Sequence, residues 1–245
     1  MKLILASPPE LEKEAAGTGL PPARMRWRIS GGGLHAAPGE RGGIMAVDAR
    51  ELGEKDNPER LCRVLEGERR RGGFGGILFD AGERTRETGR LAACLEGNGC
   101  PVYLTERAAE GTKRGIALTE TAISGGTLER HLRETLERFG PGRVALDIER
   151  VRMEFILPER SGKGRNLTAQ ELSDLLARFR PRVFFSGELC ANYFTWRDGK
   201  GTRFVLFDTA GTIRRKLELS EKLGIGEAFL FYPEVKDILG ELRGI

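Results

Sequence analysis

Carboxylates stand where the short apolar runs of this chain stop: Asp48, Asp80, Glu83, Glu106, Glu120, Asp147, Glu149 and Glu234. If those runs are parallel strands closed into a barrel, residues at their C-terminal ends share one rim, the face on which barrel active sites are built. A rim of carboxylates can donate protons to a leaving oxygen and accept hydrogen bonds from hydroxyls, as a sugar-cleaving or sugar-binding site requires. Strand ends also carry Asp and Glu simply to cap the following helix, so each residue has a structural reading beside the chemical one. Asp147 and Glu149 are two apart and share a face of their strand. Glu120, on the neighbouring strand, would form an acid and nucleophile pair with Glu149 if the carboxyls lie about 5–5.5 Å apart. Asp48, Glu120, Asp147 and Glu149 are therefore candidate substrate-binding residues. The aromatic pair Phe231-Tyr232, where a sugar face could stack, joins them.

Other chemistries find little support. Only His35 and His131 are present, and Cys62, Cys94, Cys100 and Cys190 show no CxxC spacing. No metal, no cofactor and no histidine-based triad is expected, and the thiols suit a reduced, cytoplasmic setting. Gly31-Gly32-Gly33 opens no phosphate-binding helix, and Ser161-Gly162-Lys163-Gly164 lacks the upstream glycine of a P-loop.

The elements that must hold the carboxylates can be read from periodicity. Short apolar runs alternate with helical patterns, the mark of βα units around a parallel sheet. Eight strands are expected at 2–6, 25–29, 44–48, 77–80, 102–106, 116–119, 144–148 and 228–231. Helices are expected at 57–71, 86–97, 128–139 and 169–179, the last opened by a capping box of Thr168 and Glu171. An aromatic strand (Tyr193, Phe194, Trp196) runs into the turn Asp198-Gly199-Lys200-Gly201 and a second strand, Thr202–Phe207. That hairpin, 193–208, is read as an insertion between strands seven and eight. The expected fold is α/β: a (β/α)₈ TIM barrel with this insertion, in one domain over residues 1–245. The loop His35–Gly43 reads as flexible.

Composition sets the outer bounds. With 245 residues, 39% hydrophobic and 31% charged, the chain has enough apolar material for a sizeable core. No apolar run approaches the roughly 20 residues that span a bilayer, so no membrane partner is expected. The first residues, MKLILASPPELEKE, read as a strand and not as a signal peptide. The net charge of +4 is mostly arginine, densest at Arg69-Arg70-Arg71. Cations at a helix C-terminus complement the helix dipole, so no nucleic acid partner is inferred.

The segment Ala191–Tyr232 carries a more specific signal. Phe207-Asp208 ends the hairpin, Lys216, Leu219, Gly224, Ile225 and Gly226 punctuate the following helix and its end, and a short apolar strand follows. This pattern resembles the C-terminal end of the chitinase-like family 18 glycoside hydrolases, especially the small spore-associated branch. The resemblance implies a (β/α)₈ barrel whose fourth strand ends in F-D-G-x-x-x-D-x-E. There the last Glu protonates the glycosidic oxygen, and the Asp before it orients the N-acetyl group that attacks the anomeric carbon, a retaining, substrate-assisted route. In this chain the segment is Phe74-Gly75-Gly76-Ile77-Leu78-Phe79-Asp80-Ala81-Gly82-Glu83. Phe74, Gly76 and Asp80 match; Gly75 stands for the first Asp and Gly82 for the acid. Asp80 and Glu83 are the catalytic candidates, Glu83 only if a β-bulge at Gly82 rotates it inward. Strand six lacks the Met-x-Tyr-Asp run of active relatives, and Phe231-Tyr232 replace a Trp at strand eight.

The expected function is thus a chitinase-like barrel acting on or recognising N-acetylated glycans, peptidoglycan or chito-oligosaccharide, with its acid lost or shifted. A non-catalytic, lectin-like or spore-associated protein is the alternative. A barrel enzyme of unrelated chemistry that uses the rim carboxylates is a further one.

Overall fold

Helix and strand limits follow local chemistry throughout the computed structural model, which describes residues 1–123, 126–157, 164–199 and 201–242. The chain opens with β1 (Lys2–Ser7), α1 (Glu12–Ala16), β2 (Pro22–Ser30), β3 (Gly33–Ala36) and β4 (Ile44–Asp48). It continues with α2 (Pro58–Gly72), β5 (Gly76–Asp80), α3 (Thr85–Glu96), β6 (Val102–Thr105), α4 (Glu106–Ala109), β7 (Ile116–Glu120), α5 (Leu128–Phe139) and β8 (Val144–Ile148). After these come β9 (Arg152–Leu157), β10 (Arg165–Asn166), α6 (Ala169–Phe179), β11 (Phe184–Ser186), β12 (Ala191–Asp198) and β13 (Gly201–Phe207). The last elements are α7 (Ala210–Lys222), β14 (Glu227–Phe231), α8 (Tyr232–Val235) and α9 (Leu239–Leu242).

α2 shows why the boundaries fall where they do. The Asn57 side chain accepts the Arg60 N–H at its start, Pro58 sits where no intrahelical donor is needed, and Gly73 ends it at φ 64°. Arg69 and Arg70 in its last turn converge on the Glu66 carboxylate, so the densest basic run serves its own helix.

Contacts gather into two compact units that interleave along the chain. One is Met1–Thr119, Glu134–Asp147 and Gly224–Pro233; the other is Glu120–Arg133, Ile148–Leu223 and Glu234–Ile245. The sequence reading expects a single domain and contains no linker to suggest this division, because each unit is assembled from separated segments.

The first unit carries the barrel. β1 pairs in parallel with β2 on one side and β14 on the other, closing the ring β1-β2-β4-β5-β6-β7-β8-β14. The apolar runs of the sequence are these eight strands. Ile4, Ala23, Ile44, Tyr103, Ala145 and Phe229 fill the interior, with Ala6, Leu78, Ile116 and Leu118 packed on them. One end differs from expectation: Glu106 leaves the strand and opens α4, where its carboxylate accepts the Thr119 hydroxyl at 2.6 Å and pairs with Arg138 at 2.9 Å. The segment expected to be flexible forms β3, antiparallel to β2, and a loop pinned from beneath. Arg24 donates to the carbonyls of Arg41 and Gly42, Arg26 to that of Glu40, and both guanidinia share buried Glu12.

The second unit is built on an antiparallel sheet in the order β10-β9-β13-β12-β11. The expected hairpin is its centre, β12 and β13 pairing from Asn192↔Phe207 to Asp198↔Gly201. The insertion is larger than the hairpin read from sequence, because β9, β10 and β11 extend it on both sides. Lys200 of the expected turn, and residues 161–163, lie outside the described residues. One face of the sheet packs Phe194, Val205 and Phe207 against Leu172, Leu175 and Leu176 of α6, whose capping box at Thr168 and Glu171 is present. The other face carries a row of rings from four strands, Phe184, Tyr193, Phe204 and Phe155, at centroid spacings of 5.5, 5.3 and 6.2 Å.

Candidate functional site

Strand alternation fixes which rim residues face inward. Leu78 packs in the barrel interior, so Asp80, two residues on, shares its face; by the same rule Ile44 carries Asp48, Ala145 carries Asp147, and Phe229 carries Phe231. Asp48 and Asp80 are direct partners in the β4–β5 register, so their carboxylates end adjacent strands on one face.

Those two carboxylates do not stand alone. Arg50, two residues beyond β4, turns back and grips Asp48 bidentately, Nε at 2.9 Å from Oδ1 and Nη2 at 2.6 Å from Oδ2. Its Nε is also 3.7 Å from Asp80 Oδ2, and Arg28 adds a second cation 3.3 Å from Asp48. The guanidinium bonds hold the Asp48 carboxyl down to about 2, well below its ordinary value. A carboxylate held that low stays ionised and cannot serve as a proton donor near neutrality.

Position 82 sets where the chain goes after Asp80. The β5 ladder ends at Asp80, and the Arg84 N–H then closes a turn onto the Ala81 carbonyl at 2.9 Å. Gly82 takes φ 50° in that turn, and Glu83 beside it is exposed. What glycine permits here is a tight turn, not the bulge in the ladder that would swing Glu83 inward. A Cβ at position 82 would also come within 3.2 Å of Arg50 Cγ.

The remaining barrel-unit candidates are distributed unevenly. Asp147 is exposed, and Phe231 is 39% exposed at the end of β14. Tyr232 does not join it: the ring is buried and its hydroxyl bonds to Glu14. Thr105, which shares the inward face of β6 with Tyr103, was not anticipated; its buried hydroxyl has no partner among the described residues.

The second unit holds its own acidic group. Glu120 ends β7, and Glu149 and Glu234 follow β8 and β14, strands that are neighbours in the order β14-β8-β7. The Glu149 carboxyl is pushed up, first by loss of hydration and then by the negative charges of Glu120 and Glu234. Lys216 pulls the other way but is committed elsewhere: fully buried, its Nζ lies 2.7 Å from Asp208 Oδ2. Asp208 also accepts the Thr212 hydroxyl and the Val151 N–H. Glu234 lies 3.7 Å from Arg152. Sequence alone suggested Glu120 with Glu149; it gave no sign of Arg50, whose only signal is its place two residues after a strand-end aspartate.

Comparison with protein-family profiles and with curated proteins gives no match. Solved structures do match. The spore cortex-lytic enzyme SleL of Bacillus cereus is 14% identical with a TM-score of 0.65, over 94% of this chain and 70% of that one. A chitinase from Chromobacterium violaceum is 13% identical, with a TM-score of 0.59 over 94% of both chains. A mutant plant class V chitinase from Cycas revoluta, in complex with (GlcNAc)3, is 10% identical with a TM-score of 0.63, over 99% of this chain and 98% of that one. At such identities the likeness is one of fold: a chitinase-like (β/α)₈ barrel.

Proposed function

We propose that this chitinase-like barrel recognises N-acetylated glycans of the chito-oligosaccharide or peptidoglycan class, and that the acid of the hydrolytic route has been lost. The observation behind the reading is the state of the fourth-strand end. Asp80 stands on the inward face where the motif has its substrate-orienting carboxylate, while position 82 is a left-handed glycine. Arg50 lies along that turn and neutralises the neighbouring carboxylates. Without a proton donor in reach of the leaving oxygen, an N-acetyl group held by Asp80 has no departing partner. Binding then remains as the activity. Support for the ligand class comes from the structural neighbours, one described as cortex-lytic, one as a chitinase and one in complex with (GlcNAc)3.

A second reading has one specific observation in its favour. Glu149 has its protonated form favoured, as a general acid requires, and Glu120 is the strongest acidic influence on it. In that reading the protein is a glycosidase with a relocated pair.

Incubation with chito-oligosaccharides and peptidoglycan fragments, followed by mass spectrometry of products and calorimetric titration, separates the two. Heat of binding without cleavage supports the first. Cleavage abolished in Glu149→Gln and kept in Glu83→Gln establishes the second. Neither binding nor cleavage would sink both and leave a barrel of unrelated chemistry.

A further inference from the structure

A cavity of about 430 Å³, a volume typical of small-molecule sites, lies on the outer side of β2 within the barrel unit. Trp27, which lines it, pairs with Val47, the neighbour of inward-facing Asp48, and so points away from the barrel interior. The cavity is therefore separate from the carboxylate rim. The rings of Trp27 and Phe74 line it, meeting edge to face at 4.9 Å, and residues 36–41 close another side. Arg24 and Arg26 hold that segment by its carbonyls, so the cavity is formed before anything enters it.

Its side-chain charges do not balance. Glu40 is committed to Arg24 at 3.0 Å, and Glu68 to Arg71 at 2.8 Å. Arg41 has no acidic partner among the described residues. Arg26 is only 7% exposed, yet it is not fully paired. Its Nε meets Glu12 at 3.0 Å and its Nη2 donates to the Glu40 carbonyl, which leaves Nη1 without an acceptor among the described residues. That Nη1 lies against Gly39, on the cavity lining, where a Cβ would collide with it. The buried indole N–H of Trp27 also lacks an acceptor among the described residues. Buried donors without acceptors are rare and point to a missing partner. Here the unmatched side chains are all donors, and two of them are guanidinia, which fit an oxyanion best.

We propose that this cavity binds a small organic anion, a phosphate ester or a carboxylate. The oxyanion accepts from Arg26 Nη1 and from the Arg41 guanidinium. The apolar part of the molecule lies against Trp27, Phe74 and Pro38, and these walls are what favour an organic anion over a bare one. The site owes nothing to the glycan reading and stands or falls separately from it.

Calorimetric titration of the full chain at low salt with phenyl phosphate, benzoate, inorganic phosphate and benzyl alcohol tests the site. The expected result is saturable one-to-one binding of phenyl phosphate or benzoate. Inorganic phosphate should bind about tenfold more weakly, for want of an apolar part, and benzyl alcohol not at all. Whichever aromatic anion binds more tightly identifies the oxyanion. Arg41→Ala should weaken that binding about tenfold, and Ala37→Trp, which fills the cavity, should abolish it. Arg26 is left intact because it also fixes the loop. Positions 37 and 41 are exposed, and an unchanged melting temperature verifies that each variant is folded. No saturable binding of either aromatic anion would overturn the proposal. So would binding indifferent to both substitutions, or benzyl alcohol or inorganic phosphate binding as tightly as the aromatic anions.

Discussion

At the scale of single residues, the rim separates carboxylates by what surrounds them. Asp48 has its carboxyl lowered by Arg50 and Arg28, so its contribution is present above the ordinary value of 3.8 and is lost as pH falls towards about 2. The full shift would be worth somewhat over 2 kcal/mol, but both arginines are more than half exposed, which reduces it to about 1 kcal/mol. Asp48→Asn should cost that amount in urea denaturation at pH 7 and only a small fraction of it at pH 2. Glu149 has the opposite sign. Its raised value means that stability is lost as pH rises through its titration, so Glu149→Gln should raise the melting temperature at pH 7 and leave it unchanged at pH 3. If Glu149→Gln instead lowers it, the carboxylate is making a favourable contact that its surroundings do not reveal. Little of this is legible in sequence. A strand-end Asp can be found from an apolar run, but whether it is free or clasped depends on where a loop arginine turns.

At the scale of elements, α7 is held to the end of β13 by a buried ion pair. Removing the cation strands the Asp208 charge, so Lys216→Met should cost about 3–5 kcal/mol, measurable as a lowered urea midpoint. Asp208→Asn should cost no less, because the amide Nδ2 would face two donors, the Val151 N–H and Lys216 Nζ, and leave the buried ammonium without its counter-ion. The barrel strands could be read because each is a short apolar run closed by a turn signal. β9 could not: Arg-Met-Glu-Phe-Ile-Leu carries Glu154 in its middle, a residue buried as the partner of arginines 165 and 203, where a strand core would have an apolar residue. β11 could not either, being three residues long and beginning three residues after Pro181. The loop 35–43, read as flexible, is fixed by a pair of arginines on β2 that donate to its carbonyls and share buried Glu12.

At the scale of the whole molecule, two contact-dense units should answer differently to injury. Phe194 is fully buried beneath α6, and Phe194→Ala should cost about 3–5 kcal/mol. Amide hydrogen exchange would locate the damage. Faster exchange is expected in β9, β12 and β13, with protection kept in β1 and β14. Uniform loss of protection would mean that the units unfold as one. The barrel could be anticipated whole because its strands recur in sequence order. The second unit could not, because its sheet combines strands from 152 to 207 with helices whose partners lie on both sides of it.

The turn at Gly82 gives the chain a direction in evolution. Placing a carboxylate there takes more than one substitution. A side chain at φ 50° carries a strain of about 1–2 kcal/mol, and the Arg50 stem, 3.2 Å from its Cβ, would have to shift by a few tenths of an ångström. Gly82→Glu alone should therefore lower the melting temperature and yield no hydrolysis. Selection would have to remodel the turn before any gain appeared. On the proposed reading, that turn acts as a ratchet against recovering the acid.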